Sequence, residues 1–215
     1  LLGGFTTLCL LYLLYLRLGA RLNTYKRVDG SSKPIFTKKN SKLYSRLGLL
    51  CMVILTGQIA LGGWTSSNYA ALTCTELPIC QGNWFSQLSF GKAFELIPEK
   101  EKMARAAIST IKNYEIGHLA HNERLTIHVT HRIGAMVTAF FLTVLILILW
   151  VKTNNRTIKQ SILALTLLLM TQISLGISNI WFALPLYVAV AHNVIAACLM
   201  LSLIKLNYQL RLSNP

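Results

Sequence analysis

Apolar residues gather into five runs, at about residues 1–16, 47–64, 125–151, 161–181 and 186–204, with polar segments between them. Each run approaches or exceeds the roughly 20 residues that a helix needs to cross about 30 Å of hydrocarbon. A lone strand in lipid would leave its backbone N–H and C=O groups unpaired, so the pattern predicts helices throughout. The first run is short and opens on Leu1, with no methionine and no basic segment ahead of it. It reads as the end of a membrane helix in a fragment or processed chain rather than as a signal peptide. The expected fold is an all-α membrane protein: a four-helix transmembrane bundle, one partial preceding transmembrane helix and a long extracytoplasmic loop. The expected division is a helix end at 1–16, a basic cytoplasmic linker at 17–46, the bundle at 47–205 with its loop at 65–124, and a cytoplasmic tail at 206–215.

Composition strengthens the membrane reading. Apolar residues make up 53% of the 215 and charged residues only 13%, whereas soluble domains carry about 25% charged residues. A chain this apolar cannot cover its own surface with polar groups. Its formal charge is +14, from 21 Lys+Arg against 7 Asp+Glu, which in a soluble protein would raise nucleic acid as a partner.

The distribution of that charge argues for topology instead. The linker, the segment after the third run and the tail together carry fourteen basic residues, from Arg17 to Arg211, against Asp29 alone. The loop at 65–124 carries six basic and six acidic residues and is neutral. The positive-inside bias then sets the basic segments and the C-terminus in the cytoplasm and the long loop outside. No nucleic-acid partner is needed to explain the excess.

The second and fourth runs share a motif: Gln58-Ile-Ala-Leu-Gly62 and Gln172-Ile-Ser-Leu-Gly176, preceded by Thr56 and Thr171. In each case the next helix returns from the outer side with a histidine near its start. The pattern suggests two duplicated hairpins of one orientation. Chance similarity between apolar helices is the competing explanation, and the glycines also suit close helix approach.

Of the five histidines, His118 and His121 lie at the polar end of the loop and read as solvated. His128, His131 and His192 lie in apolar runs, where an ionisable side chain points to function. His131 and His192 each sit about six residues into their runs, roughly 9 Å below the outer surface. Two imidazoles at one depth on two helices can hold one metal from opposite sides. Haem suits that arrangement, taking two axial ligands and filling an apolar slot. Zinc suits it less, because no third ligand lies at that depth. A pair of histidines hydrogen-bonded to neighbouring helices is the bland alternative. His128 shares a helix face with His131 and either bonds a ligand or meets water. Arg132, the one charge inside an apolar run, either pairs with a haem propionate or snorkels to the surface.

Cys9, Cys51 and Cys198 fall within apolar runs and read as small buried hydrophobes. Cys74 and Cys80 fall in the loop as a C-x5-C pair around Pro78. On an oxidising face such a pair forms a structural disulfide; a redox role is the alternative.

Several of these residues also make up a longer signature. The run Leu61-Gly-Gly-Trp-Thr-Ser-Ser-Asn-Tyr-Ala-Ala-Leu-Thr-Cys74, with Leu77-Pro-Ile-Cys80, Asn113-Tyr-Glu115, His131-Arg-Ile-Gly-Ala135 and the segment from Leu184-Pro to His192, resembles the second half of haem A synthase in its proteobacterial form. That resemblance implies eight transmembrane helices in two pseudo-symmetric halves, of which this chain covers the end of the fourth and helices five to eight. It implies a membrane oxidoreductase that converts haem O to haem A by oxidising a ring methyl to a formyl group, for cytochrome oxidase biogenesis. It implies a haem b held by His131 and His192, in a bacterial cytoplasmic membrane. The Cys74–Cys80 pair matches the family's extracytoplasmic cysteines. The family's first half carries a glutamate three residues before its first histidine, and His128 occupies that place here, so no catalytic residue is assigned in this chain. Haem O, the lipid bilayer and, by the same resemblance, haem O synthase and cytochrome oxidase assembly factors are the expected partners. A homo-oligomer and a single copy are both open.

Two other classes compete. A b-type cytochrome subunit doing electron transfer only would use the same histidine pair but gives no reason for the Trp64-to-Cys80 motif. A small transporter would explain the repeat and the buried glutamines, yet no proline breaks the runs as transporters usually require.

Overall fold

The computed structural model describes residues 2–26, 38–95 and 119–212, and all the regular structure within them is helical. Five long helices account for most of it: α1 (Leu2–Lys26), α2 (Lys38–Ser67), α4 (His121–Lys152), α5 (Arg156–Trp181) and α6 (Leu186–Leu212). A 3-10 turn at Trp84–Gln87 and the single-turn α3 (Phe90–Ala93) lie in the segment between α2 and α4. Helices α2, α4, α5 and α6 are long and apolar enough to cross a membrane, and α1 contains a shorter apolar helix at Gly3–Gly19. At 26 to 32 residues each they reach about 40 Å or more, so their ends extend past the hydrocarbon into the headgroup zone. The chain is a multi-pass membrane protein.

Local chemistry sets the helix ends. The Glu123 carboxylate accepts the Ala120 backbone N–H at 2.8 Å, closing the start of α4. Asn155 caps α5 by accepting from the Ile158 N–H at 3.1 Å, satisfying a donor the helix itself cannot. At the other end of α5, Ala183 and Leu184 both take positive φ. This lets the Leu184 N–H reach the Asn179 carbonyl at 2.7 Å, and Pro185 then turns the chain into α6.

Helix α2 packs along α4 and α6, α5 packs along α6, and α1 lies against α6. The two helices that carry His131 and His192, α4 and α6, make no extensive contact with each other. Two small buried apolar clusters pack the loop against α4, and the main core lies in the other half of the bundle, away from the loop. It runs from Tyr44 to Leu55 on α2, Leu142 to Leu149 on α4, Ile158 to Leu169 on α5 and Leu199 to Leu210 on α6. A polar knot locks its end: the Ser41 hydroxyl donates to the Leu210 carbonyl at 2.7 Å and Ser45 to Asn207 Oδ1 at 3.0 Å. Gly48 permits that approach, since a Cβ there would stand 3.3 Å from the Asn207 amide. Toward the loop the packing opens, and no residue of α5 beyond Leu169 or of α6 before Leu199 is buried.

Candidate functional site

The open half of the bundle holds two matching arrangements. On α2, Gln58 and Gly62 stand one helical turn apart and so share a face. The Gln58 amide nitrogen lies 3.0 Å from His131 Nδ1 on α4 and donates at 3.0 Å to the His131 carbonyl. A Cβ on Gly62 would stand 3.2 Å from His131 Cε1. On α5, Gln172 and Gly176 repeat this toward α6, with the Gln172 amide nitrogen 3.1 Å from His192 Nε2. A Cβ on Gly176 would stand 3.3 Å from His192 Cε1. In both hairpins the glutamine grips a ring nitrogen while the glycine lets the ring lie close to the opposing backbone. The motif repeated in the sequence is therefore a repeated imidazole cradle.

His131 on α4 and His192 on α6 are both half-buried. The same helices carry exposed apolar side chains, Ile133, Met136 and Val137 on α4 and Val190 and Val194 on α6, at spacings that set them on other faces than the histidines. No third potential ligand joins the pair: the described residues contain no cluster of three or more His, Cys, Asp or Glu side chains suited to a metal. His121 sits exposed in the first turn of α4. His118 and the motif at Asn113 to Glu115 lie outside the described residues.

One turn away on α4, Arg132 and His128 face the cysteine loop and are buried. The Arg132 guanidinium donates to three backbone carbonyls of that loop, of Glu76 (2.6 Å), Ile79 and Cys74 (2.5 Å). Its Nε approaches His128 Nε2 at 3.2 Å, and the Cys74 backbone N–H approaches His128 Nδ1 at 3.2 Å. A neutral imidazole offers one lone pair, so each His128 tautomer accepts one of these two donors. The sulfurs of Cys74 and Cys80 stand 2.15 Å apart, with Cys74 packed against Leu125 and Val129 of α4. The sequence reading leaves Arg132 between a propionate and the surface, and His128 between a ligand and water. Both side chains fasten the loop onto α4 through these contacts.

The sequence profile of the COX15-CtaA family, described as cytochrome oxidase assembly proteins, matches residues 1–204. The chain belongs to this family. Among the COX15-CtaA proteins it is 43% identical over 208 residues to the heme A synthase of Shewanella oneidensis. That alignment covers 97% of this chain and 56% of the relative, so the chain spans just over half the relative's length. No solved structure matches it.

For this COX15-CtaA chain, sequence reasoning names the histidines and the two glutamines but leaves the contacts between them undrawn. The signal is present: Gln at i and Gly at i+4, in each case on the helix before a histidine-bearing one. The anchoring of the loop by His128 and Arg132 carries a weaker signal, an i, i+4 pair of polar residues at the end of an apolar run.

Proposed function

We propose that this chain is the haem-b-holding half of a haem A synthase, in which His131 and His192 would hold the haem iron. The repeated cradles, Gln58 and Gly62 against His131 and Gln172 and Gly176 against His192, without a third potential ligand among the described residues, carry this reading. The donor set fits haem, which needs two imidazoles and an apolar slot, and does not complete a zinc site. A haem held by two histidines would supply one-electron transfer. The chain's own residues do the rest. His131 and His192 would hold the iron, and Gly62 and Gly176 let the rings sit against the helices. Arg132 and His128 keep the loop closed over α4.

The charge distribution supports an orientation with the loop outside a bacterial cytoplasmic membrane and the C-terminus in the cytoplasm. The substrate of the whole protein is haem O, whose methyl group is oxidised to the formyl group of haem A. Haem O synthase and cytochrome oxidase assembly factors are its partners in supply and delivery. A glutamate is lacking at the His128 position, so the residues that act on the substrate lie outside this half.

An absorption spectrum of the purified full-length protein tests the cofactor: a low-spin b-type spectrum is expected, and a protein without a Soret band overturns the assignment. Pigment extraction tests the reaction. Cells expressing the gene should accumulate haem A at the expense of haem O, and an unchanged ratio leaves only a b-type electron carrier.

A further inference from the structure

The stretch of loop around the 3-10 turn and α3 is rich in exposed aromatic surface and poor in charge. The loop at 65–124 carries six basic and six acidic residues, yet from Leu77 to Phe94 the only charged one is Lys92. Within that stretch Phe85 is 73% exposed and Phe90 55%. Two hydrogen bonds and one packed ring fix the level at which they stand. The Trp64 indole N–H donates to the Ala93 carbonyl at 3.0 Å, and the Ser89 backbone N–H donates to Thr126 Oγ1 at 2.8 Å. Trp64 closes the apolar run of α2, and Thr126 is the second residue of the run on α4. The Trp84 ring packs against Cys74, Leu125 and Val129, and Val129 lies one turn inside the α4 run. Its neighbour Phe85 turns outward, the two rings meeting edge to face at 5.8 Å. These tethers hold the segment at the level where the apolar runs end.

We infer that residues 84–93 form an interfacial anchor, with Phe85 and Phe90 inserted into the lipid of the membrane that the helices cross. In water both rings would stay hydrated, whereas at the boundary between headgroups and acyl chains they leave water. The irregular backbone sets the limit of insertion, because unpaired N–H and C=O groups do not enter hydrocarbon. The segment therefore stops at the boundary, its rings toward the acyl chains and its backbone among the headgroups. Lys92 has the reach to carry its ammonium back to the headgroup level. The opposite side of the same bundle end matches. Trp181, Phe182 and Tyr187, at the turn from α5 to α6, are 73%, 65% and 88% exposed, and Trp and Tyr gather at membrane–water interfaces. Continuity with the spanning surface favours lipid over a protein as the occupant. The segment is tied to the ends of two membrane helices, so the lipid that surrounds them reaches it too. The loop is thereby part of the membrane-embedded body at its 84–93 stretch, not a cap held in water.

The test is spin-label EPR on the full-length protein in nanodiscs of phosphatidylcholine and phosphatidylglycerol. Free cysteines are replaced by alanine, Cys9, Cys51 and Cys198 among them, and a nitroxide is placed by Phe85→Cys or Phe90→Cys. Phe140→Cys, on an exposed face of α4, serves as the lipid reference and a free nitroxide in buffer as the water reference. Collisions with oxygen, which concentrates in lipid, are compared with collisions with a water-soluble nickel chelate. At 85 and 90 the oxygen-to-nickel ratio should exceed the buffer reference at least several-fold and approach that at 140. A ratio equal to the buffer value places the rings in water and overturns the anchor. Low collision rates with both reagents mean that protein covers the rings, which overturns it equally. Where the alanine replacements cost monodispersity, benzoylphenylalanine at 85 or 90 in protein with its natural cysteines reads the same surroundings. Photoadducts with phospholipid are then expected; adducts with protein alone, or none, overturn the anchor.

Discussion

The Arg132 guanidinium reaches the Cys74 carbonyl at 2.5 Å across 58 residues of sequence. The contact joins the helix that carries His131 to the cysteine loop, and it makes the one cation of the apolar run 125–151 a loop clamp. Charged hydrogen bonds are worth about 1.5–3 kcal/mol each, and removing the donor strands the acceptors. Arg132→Met should therefore destabilise the protein by about 3 kcal/mol or more and speed cleavage of the 68–95 segment in limited proteolysis. Arg132→Lys, with a point charge in place of the fork, should fall between. Equal cleavage rates in all three proteins would contradict the clamp.

The histidines on α4 should separate in their effects. Removing His131 or His192 as alanine should abolish the low-spin haem spectrum. Removing His128 should leave the spectrum intact and loosen the loop as loss of Arg132 does, because His128 faces Cys74 and Arg132. Spectra and proteolysis on the same three preparations give the comparison. A His128→Ala protein without haem would place His128 in the ligand set.

Two glycines on α2 offer a matched pair. Nothing lies within 4 Å of a Cβ built on Gly57, whereas one on Gly62 meets the His131 ring at 3.2 Å. Gly57→Ala should stabilise the helix by up to about 1 kcal/mol. Gly62→Val should push the ring from its place and lower haem content at least several-fold, measured by pigment extraction per mole of protein.

Ser161 on α5 is buried and its hydroxyl has no partner. Ser161→Ala removes that orphan and substitutes a better helix former, so thermal unfolding in detergent should rise by the equivalent of about 1 kcal/mol. A lower midpoint would mean the hydroxyl is satisfied.

Much of this architecture is legible along the chain. An apolar run of this length in lipid can satisfy its backbone only as a helix, so runs 47–64, 125–151, 161–181 and 186–204 read directly as α2, α4, α5 and α6. Helix ends are less legible. Polar residues outside the hydrocarbon prolong the helices, so α2 begins at Lys38 and α6 runs to Leu212. The cradles are half legible: the repeated Gln and Gly are visible, while the ring each meets is not.

The sequence by itself determined the helical class, the membrane habit, the charge asymmetry and the duplicated motif, because each follows from local composition and periodicity. Only the tertiary structure decided that Gln58 meets His131 and that His128 and Arg132 turn to the cysteine loop. It alone decided that the core fills one half of the bundle and leaves the histidine half open. Those outcomes depend on which faces meet across separations of up to 169 residues, and a helical repeat says which residues share a face but not what that face will touch.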